Sequence, residues 1–551
     1  MRMIVIPVLA WVLLASAALA QQAPPPAAPQ MVPSEGAAAV ALARQAMAEY
    51  LQNRTPAAEV RIPDAAKSLP KKNYGAAVTL RSGGLSIGQG IRQEADLARN
   101  VIDAAFAAMR SPKLPDVVTA DYLAGLTVEI EVLSPPQKAQ EANLARSITP
   151  GLTGLTSAKG LDEVTILPSA SYAFSLSVEE IIRHCLSGLP LKAENASLPV
   201  RWAVFSSSHY VGYPDGKVIW LRQGRAPLPP EMIDDKVLSS AAEAVGLFLL
   251  RNQDAEGQFT LPAGQPRTTE QFYATYALAR LAKVGDGNVL RAGRSAAFKW
   301  DVLHVPVHPG EPFALVEGIA DEEQLSAVSF LVLAMQEAPP NPVSRDLVPK
   351  LLGTVDKALA SQRREDDPSS RVKLPLKGLA LAYLAASKAA PQEANRLEAL
   401  RAIIATTPAA DAEDICWLLR AGLPLAPDRP GGVAAAPLPV PAAGVLDTDG
   451  GLAPEGRPAD IVVTALSAVN LAEGRNWPGL NLPAAPAEAK AVRGEMALSA
   501  KRFCYQMQYK PLEPYFSPKP VLWLGGIRAA PGGAAISLRA CAAAIEAFLA
   551  E

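Results

Sequence analysis

Cysteine is scarce in this chain: four in 551 residues, at positions 185, 416, 504 and 541. Spacing that wide excludes the close clusters of a disulfide scaffold or a thiolate zinc site, so the four read as small buried apolar side chains. The alternative is a bridge between Cys504 and Cys541 that clips the last two helices together. An excess of one charge is also missing. Lys and Arg number 52 against 54 Asp and Glu, giving a net charge of -2, and there is no basic run to neutralise a phosphate backbone. Nucleic acid is thereby excluded as a partner. No phosphate-binding glycine motif and no G-x-S-x-G nucleophile elbow occurs. Beyond residue 20 no segment approaches the roughly 18 unbroken apolar residues of a membrane span, so the mature chain carries none. Charged residues make up only 19% and hydrophobic ones 49%, a balance too apolar for disorder and sufficient for a large core. At roughly 150 residues per domain, the length argues for two to four domains.

What is present begins with an address. Arg2 precedes an almost wholly apolar run from Met3 to Leu19, and Ala18-Leu19-Ala20 offers the small-x-small triplet of a signal-peptide cleavage site. Residues 1–20 are expected to be a signal peptide, and the mature chain to be exported, secreted or held in a bacterial periplasm. Residues 21–35 (QQAPPPAAPQMVPSE) form a Pro-rich linker that cannot hold a helix.

Residues 36–224 mix helix and strand signals. Leu97, Val101, Ile102, Ala105 and Met109 fall on one stripe of a helix. Leu126, Val128, Ile130 and Val132 alternate with Thr127, Glu129 and Glu131, which predicts a half-buried strand. Tyr74 to Leu80 predicts another, ending at a Gly83-Gly84 turn, with shorter strands at 166–168 and 218–221. The sum is an α+β domain. The order VTLRSGGLSIGQG (78–90), a helix ending AAFAAM, LAGLTVEIEVLSPP (123–136), PGLTGL (150–155) and ILP (166–168) resembles the AMMECR domain family. The family hallmark, L-R-G-C-I-G, is degenerate here: residues 85–90 read L-S-I-G-Q-G, without arginine or thiol, so no thiolate nucleophile can come from that loop. Gly83, Gly84, Gly88 and Gly90 read instead as a tight turn with positive φ.

From residue 233 to 551 only helical segments appear, amphipathic or uniformly apolar, separated by Pro, Gly and Asp. Close to a dozen helices are too many for one bundle, and repeated hairpins that need neighbours to cover their apolar faces close most simply into a ring. FLLRNQDAEGQF (248–259), the Pro375 to Leu381 helix, Asp414-x-x-Trp417, Asp449-Gly450-Gly451-Leu452 and Gly525-Gly526-Ile527-Arg528 resemble α/α toroid domains of the six-hairpin, glycosidase-like and terpenoid cyclase groups. In the first motif Gln253, Gly257 and Phe259 read as structural: the glycine frees the backbone from the helix and the glutamine bonds neighbouring helix ends.

That resemblance implies a site at the mouth of the ring, where a pair of carboxyl groups would act on a sugar. Here the matching positions look vacated: Leu376-Lys377-Gly378, Cys416 and Ala540-Cys541 stand where acid/base residues are expected. Glu413, Asp414 and Asp449 remain as weak catalytic candidates, with Asp447 and Glu455 beside them, each also suited to capping a helix. Trp417, Trp523, Arg528 and Lys377 are candidate ligand-binding residues. Glu365-Asp366-Asp367-Pro368 lacks cyclase spacing and reads as a solvated loop. His304 and His308 lie among prolines and would stand roughly 13 Å apart in extended chain, so no metal site is expected. His184 reads as a core residue and His209 as part of a surface loop. No cofactor is implied. Three readings stay open. The first is a non-catalytic binding protein for a glycan, peptide or envelope protein; the others are a carbohydrate hydrolase or lyase, and a carrier of an apolar isoprenoid-like ligand.

Overall fold

The computed structural model describes residues 31–53, 56–71, 74–189, 198–262, 264–285, 287–362, 374–424, 459–475 and 483–550. The expected signal peptide, residues 21–30 of the linker, the Glu365–Pro368 loop and the carboxylates Asp447, Asp449 and Glu455 lie outside them. Two compact units emerge. One comprises residues 1–82, 86–172 and 176–222; the other comprises 83–85, 173–175 and 223–551.

The first unit holds helices α1 (Pro33–Asn53), α2 (Leu97–Ala108), α3 (Pro168–Ala173) and α4 (Val178–Ser187). Its strands are β1 (Gly75–Ser82), β2 (Leu85–Arg92), β3 (Thr127–Leu133), β4 (Gln137–Ala139), β5 (Thr153–Lys159), β6 (Asp162–Ile166), β7 (Arg201–Gly212) and β8 (Val218–Leu221). The sheet runs β2-β1-β3-β7-β5-β6, with β4 and β8 also on β7. Twelve residues make β7 long enough to serve two neighbours in succession, β5 along 201–206 and β3 along 207–212. Pro33 opens α1, where a missing N–H costs nothing, so the helix begins inside the segment expected to be linker. α1 and α2 cover one sheet face, burying Val78, Leu80, Val128, Ile130 and Val132. Each such side chain contributes about 1.5–3 kcal/mol.

The opposite sheet face departs from expectation. Glu129 and Glu131 are each only 1% exposed, so β3 is buried on both faces rather than half-buried. Glu129 pairs with Arg81 (2.7 Å) and His209 (2.8 Å). Glu131 accepts from Ser169 and, at 2.7 Å, from Ser207. His209 is thus a buried member of β7, not a surface-loop residue, and His184 is exposed rather than core. Alternation marks the two faces of a strand but not what covers them. Of the four glycines, Gly83 and Gly84 make the positive-φ turn, at +52° and +82°. Gly88 and Gly90 lie in β2 for another reason: a Cβ there would meet the carbonyls of Ala108 and Ala104 at 2.5 and 2.1 Å, so glycine lets α2 approach the strand.

The second unit is helical: α5 (Asp235–Arg251), α6 (Thr268–Val284), α7 (Asn288–Leu303), α8 (Asp321–Glu337), α9 (Pro342–Gln362), α10 (Leu376–Ala389), α11 (Ala394–Thr406), α12 (Ala412–Arg420), α13 (Ile461–Ala472), α14 (Pro486–Gln506) and α15 (Leu538–Leu549). Six of them close a ring: α6 packs on α8, α8 on α10, α10 on α12, α12 on α13, α13 on α15, and α15 returns to α6. α5, α7, α9, α11 and α14 lie outside. The sequence pattern explains the layering. α8 is buried continuously from Gln324 to Met335, whereas α7 buries only Leu290, Ala297, Trp300 and Asp301. A helix apolar on all sides belongs inside, an amphipathic one outside. Gly257 lies not at the end of α5 but in the turn beyond it, with φ +102° and no room for a Cβ, which would meet the Ala296 carbonyl at 2.1 Å; Gln253 Nε2 donates to the carbonyls of Gly257 (3.0 Å) and Gly293 (3.2 Å). The architecture is therefore an α+β domain followed by an α/α toroid. All four cysteines are buried with free thiols, and burial pushes the Cys504 and Cys541 thiols up to about 12.

Candidate functional site

The six inner helices start at the same end of the ring. There the first turns of α6, α8, α10 and α15 line a cavity of about 160 Å³. Its floor is aromatic. Tyr273 stacks on Phe330 at 4.5 Å between ring centres, and both meet the edge of Trp417, at 5.7 and 5.5 Å. α6 and α12 stand on opposite sides of the ring, so the Tyr273–Trp417 contact spans the axis and closes it. The rim is polar: Arg267, Thr269, Glu270, Glu322, Glu323, Ser326, Lys377 and Arg539.

Local sequence places the charged groups. Pro375 precedes α10, so that helix starts at Leu376 and carries Lys377 in its first turn, with its backbone N–H lacking a partner within the helix. Asp414 Oδ1 accepts that N–H at 2.8 Å, and its Oδ2 accepts from the Ala410 N–H at 2.7 Å. Both oxygens of Asp414 are thus spent on chain starts, and burial raises its pKa. Glu413 is occupied in another way. Its Oε1 faces Lys377 Nζ (2.8 Å) and accepts from Trp417 Nε1 (3.2 Å), while its Oε2 pairs with Arg539. Lys377 is pulled down to about 7, first by burial and then by the Arg539 guanidinium, against the opposing pull of Asp411, Asp414 and Glu270. At the rim Glu323 accepts from Thr269 Oγ1 at 2.8 Å.

Below the aromatic floor, Glu546 accepts from Tyr273 (3.0 Å), Arg280 (2.8 Å) and Arg420. Among the described residues, these hydrogen bonds link α6, α12 and α15 beneath the mouth.

The structure brings Lys377, Glu413, Asp414 and Trp417 together. It does not bring Trp523 or Arg528 to the mouth. Arg528 is fully buried, paired with Glu513 at 2.8 Å, and its guanidinium donates to the carbonyls of Gln506, Met507 and Gly224. Buried completely, it is out of reach of a ligand carboxylate, so its expected role in ligand binding is corrected to a structural one. Trp523 packs edge-on against Tyr509 (5.4 Å) and Phe516 (5.2 Å) in the same cluster. Asp449 lies outside the described residues. His304 stacks on Trp300 and bonds its carbonyl, and among the described residues no group of three His, Cys, Asp or Glu could hold a metal. No helix among them is long and apolar enough to cross a membrane.

Sequence reasoning missed Arg267, Glu270, Tyr273, Glu322, Glu323, Ser326, Phe330 and Arg539. They share one signal: each lies within about three turns of the start of an inner helix, which becomes visible only once inner and outer helices are told apart.

Residues 40–210 match the AMMECR1 family model. No curated protein matches the chain. Among solved structures, an uncharacterized protein from Pyrococcus horikoshii, PH0010, is similar at 24% identity, covering 34% of this chain and 97% of that one, with a TM-score of 0.30. A glycosidase variant in complex with glucose is 16% identical over 58% of this chain and 98% of its own, with a TM-score of 0.36. A variant of the type II terpene cyclase MstE from Scytonema, in complex with merosterolic acid A, is 13% identical over 57% and 97%, with a TM-score of 0.34.

Proposed function

We propose, taking residues 40–210 to be an AMMECR1 domain joined to an α/α toroid, that this is an exported, non-catalytic binding protein whose toroid mouth holds one sugar ring of a glycan. One observation carries the non-catalytic reading. The two described carboxyl groups singled out for proton transfer are both committed, Asp414 to two backbone N–H groups and Glu413 to Lys377, Arg539 and Trp417. A general acid or base must reach its proton within hydrogen-bond distance, and neither has an oxygen left over to do so. An aromatic floor beneath a rim of hydroxyl, carboxylate and cationic groups suits a sugar ring, which is apolar on its faces and polar at its edge. The cavity of about 160 Å³ is well below the 300–1,000 Å³ of sites for drug-sized ligands, which favours a single ring. Export is supported by residues 1–20, and sequencing the amino terminus of the exported chain is expected to begin at Gln21.

The hydrolase or lyase reading retains one observation in its favour: Glu270, Glu322 and Glu323 stand on the rim. A single experiment separates the two. The mature chain is titrated with a panel of neutral and acidic oligosaccharides by calorimetry, and the same mixtures are assayed for new reducing ends or unsaturated sugars. Saturable binding that Lys377→Ala weakens at least about tenfold, with no product formed, is the expected result. Product release that Glu322→Gln or Glu323→Gln abolishes would replace binding with catalysis.

A further inference from the structure

We propose that Lys377 is a nucleophilic amine that captures the aldehyde carbon of a small polar ligand, the open-chain form of a reducing sugar, as an imine at the toroid mouth. This rests on the reading of the mouth as the binding site and names the chemistry of its ligand. Three features of the geometry point to it. The Lys377 amine is placed where a ligand arrives: it lines the cavity, above the Tyr273–Phe330 floor, with its side chain 22% exposed. It sits in the first turn of α10, where the helix dipole disfavours a cation. It also shares a single carboxylate, Glu413, with Arg539, a guanidinium that keeps its proton and so leaves the amine as the group that gives one up. Desolvation beside a second cation is the general recipe for a lysine nucleophile at neutral pH, and the fall to about 7 agrees with it. The charged groups facing the amine are Glu413, Asp411 and Asp414 near the start of α12, Glu270 on α6 and Arg539 on α15.

Lys510 offers a contrast. Burial lowers it to about 8, yet its ammonium donates to the carbonyls of Tyr505 (2.8 Å) and Gln508 (3.2 Å) and lies over the Tyr505 ring, so its nitrogen is held by backbone acceptors.

The step balances without a further reactant. The neutral amine attacks the aldehyde carbon, a C–N bond forms and the carbonyl oxygen takes up the proton that the nitrogen loses, giving a carbinolamine. The hydroxyl then leaves as water and a C=N bond remains. Solvent water carries the proton from nitrogen to the departing hydroxyl, while Glu413, 2.8 Å from Nζ and paired with Arg539, holds the amine in place. Hydrolysis reverses the sequence, so the capture is reversible.

The full mature chain is treated with glycolaldehyde and sodium cyanoborohydride at pH 7, and the reduced adducts are located by peptide mass mapping. Lys377 is expected to be labelled at least about ten times faster than the other lysines, and labelling at that site vanishes in Lys377→Arg. Methyl glucoside, which has no aldehyde, should slow labelling of Lys377 by occupying the mouth. Labelling spread evenly over all lysines, with methyl glucoside still bound in calorimetry, overturns the imine and leaves the binding reading intact. Even labelling with no sugar binding overturns both. Because the wild-type map carries the answer, a variant that fails to fold does not obscure it.

Discussion

Where the inner helices finish, Lys283 and Lys388 both reach Glu337 (2.8 and 3.6 Å), Arg420 pairs with Glu473 (3.2 Å) and Glu546, and Arg280 joins Glu546 (2.8 Å). Where the same helices start, Lys377 and Arg539 divide one carboxylate between them. The residue types are alike, and the helix dipole separates the two ends. Cations in a last turn are favoured by the carbonyl ends of the chain, whereas cations in a first turn face unsatisfied N–H groups. The finishing end ties α6, α8, α10, α12 and α15 together, while the starting end holds a lysine on the edge of deprotonation. The difference teaches that a ring of similar helices can be clamped at one end and chemically poised at the other without any change in fold.

Removing the central carboxylate of the clamped end should have the largest effect. Glu546→Ala removes the carboxylate paired with Arg280 and leaves buried Arg420 with Glu473 alone, and is expected to cost about 3–5 kcal/mol in denaturant unfolding. A loss under 1 kcal/mol would mean the pairs do not clamp the ring. Asp301 sharpens the point as a buried carboxyl given no cation. Burial raises it to about 8, with the Thr275 hydroxyl pulling slightly the other way. Its folded value lies above the usual 3.8, so the stability it contributes is present in acid and lost as pH rises from about 4 to about 8. Asp301→Asn is therefore expected to gain on the wild type across that window, by on the order of 2–4 kcal/mol at pH 8 relative to pH 4. A constant difference in urea melts at the two pH values would contradict it.

The smallest effect belongs to the poised end. Lys377 is lowered from 10.5 to about 7, so the native state holds fewer protons than the unfolded chain between those values. Stability from this group is full above 10.5 and is lost as pH falls through 7. Lys377→Met removes that slope and should show its greatest advantage over the wild type at pH 6, roughly 1–2 kcal/mol, shrinking by pH 10. Thermal scans in which the advantage grows with pH would show that the amine is not desolvated.

Much of the architecture was readable in advance because it follows short-range rules. Alternation at 126–132 marked β3, stripes and uniformly apolar runs marked helices, and Gly83-Gly84 marked a turn. Asp414 shows where such reading stops. Its place beside a helix terminus suggested capping, but not that it would reach across to the Lys377 N–H, 37 residues away in the chain. Glu129 and Glu131 looked solvated because period alone cannot show a covering layer. Arg528 looked like a platform because a lone arginine after two glycines gives no sign that Glu513 awaits it.

What the amino acids determined by themselves was the kind of element each segment becomes and the division into a mixed domain and a helical ring, since both arise from local periodicity and the need to cover apolar surface. What tertiary structure alone decided was which first turns meet at the mouth, which carboxylates are left with work to do, and whether the ring has a hollow. Those outcomes depend on distances between residues remote in the chain, and on the loss of water around them, which no local pattern encodes.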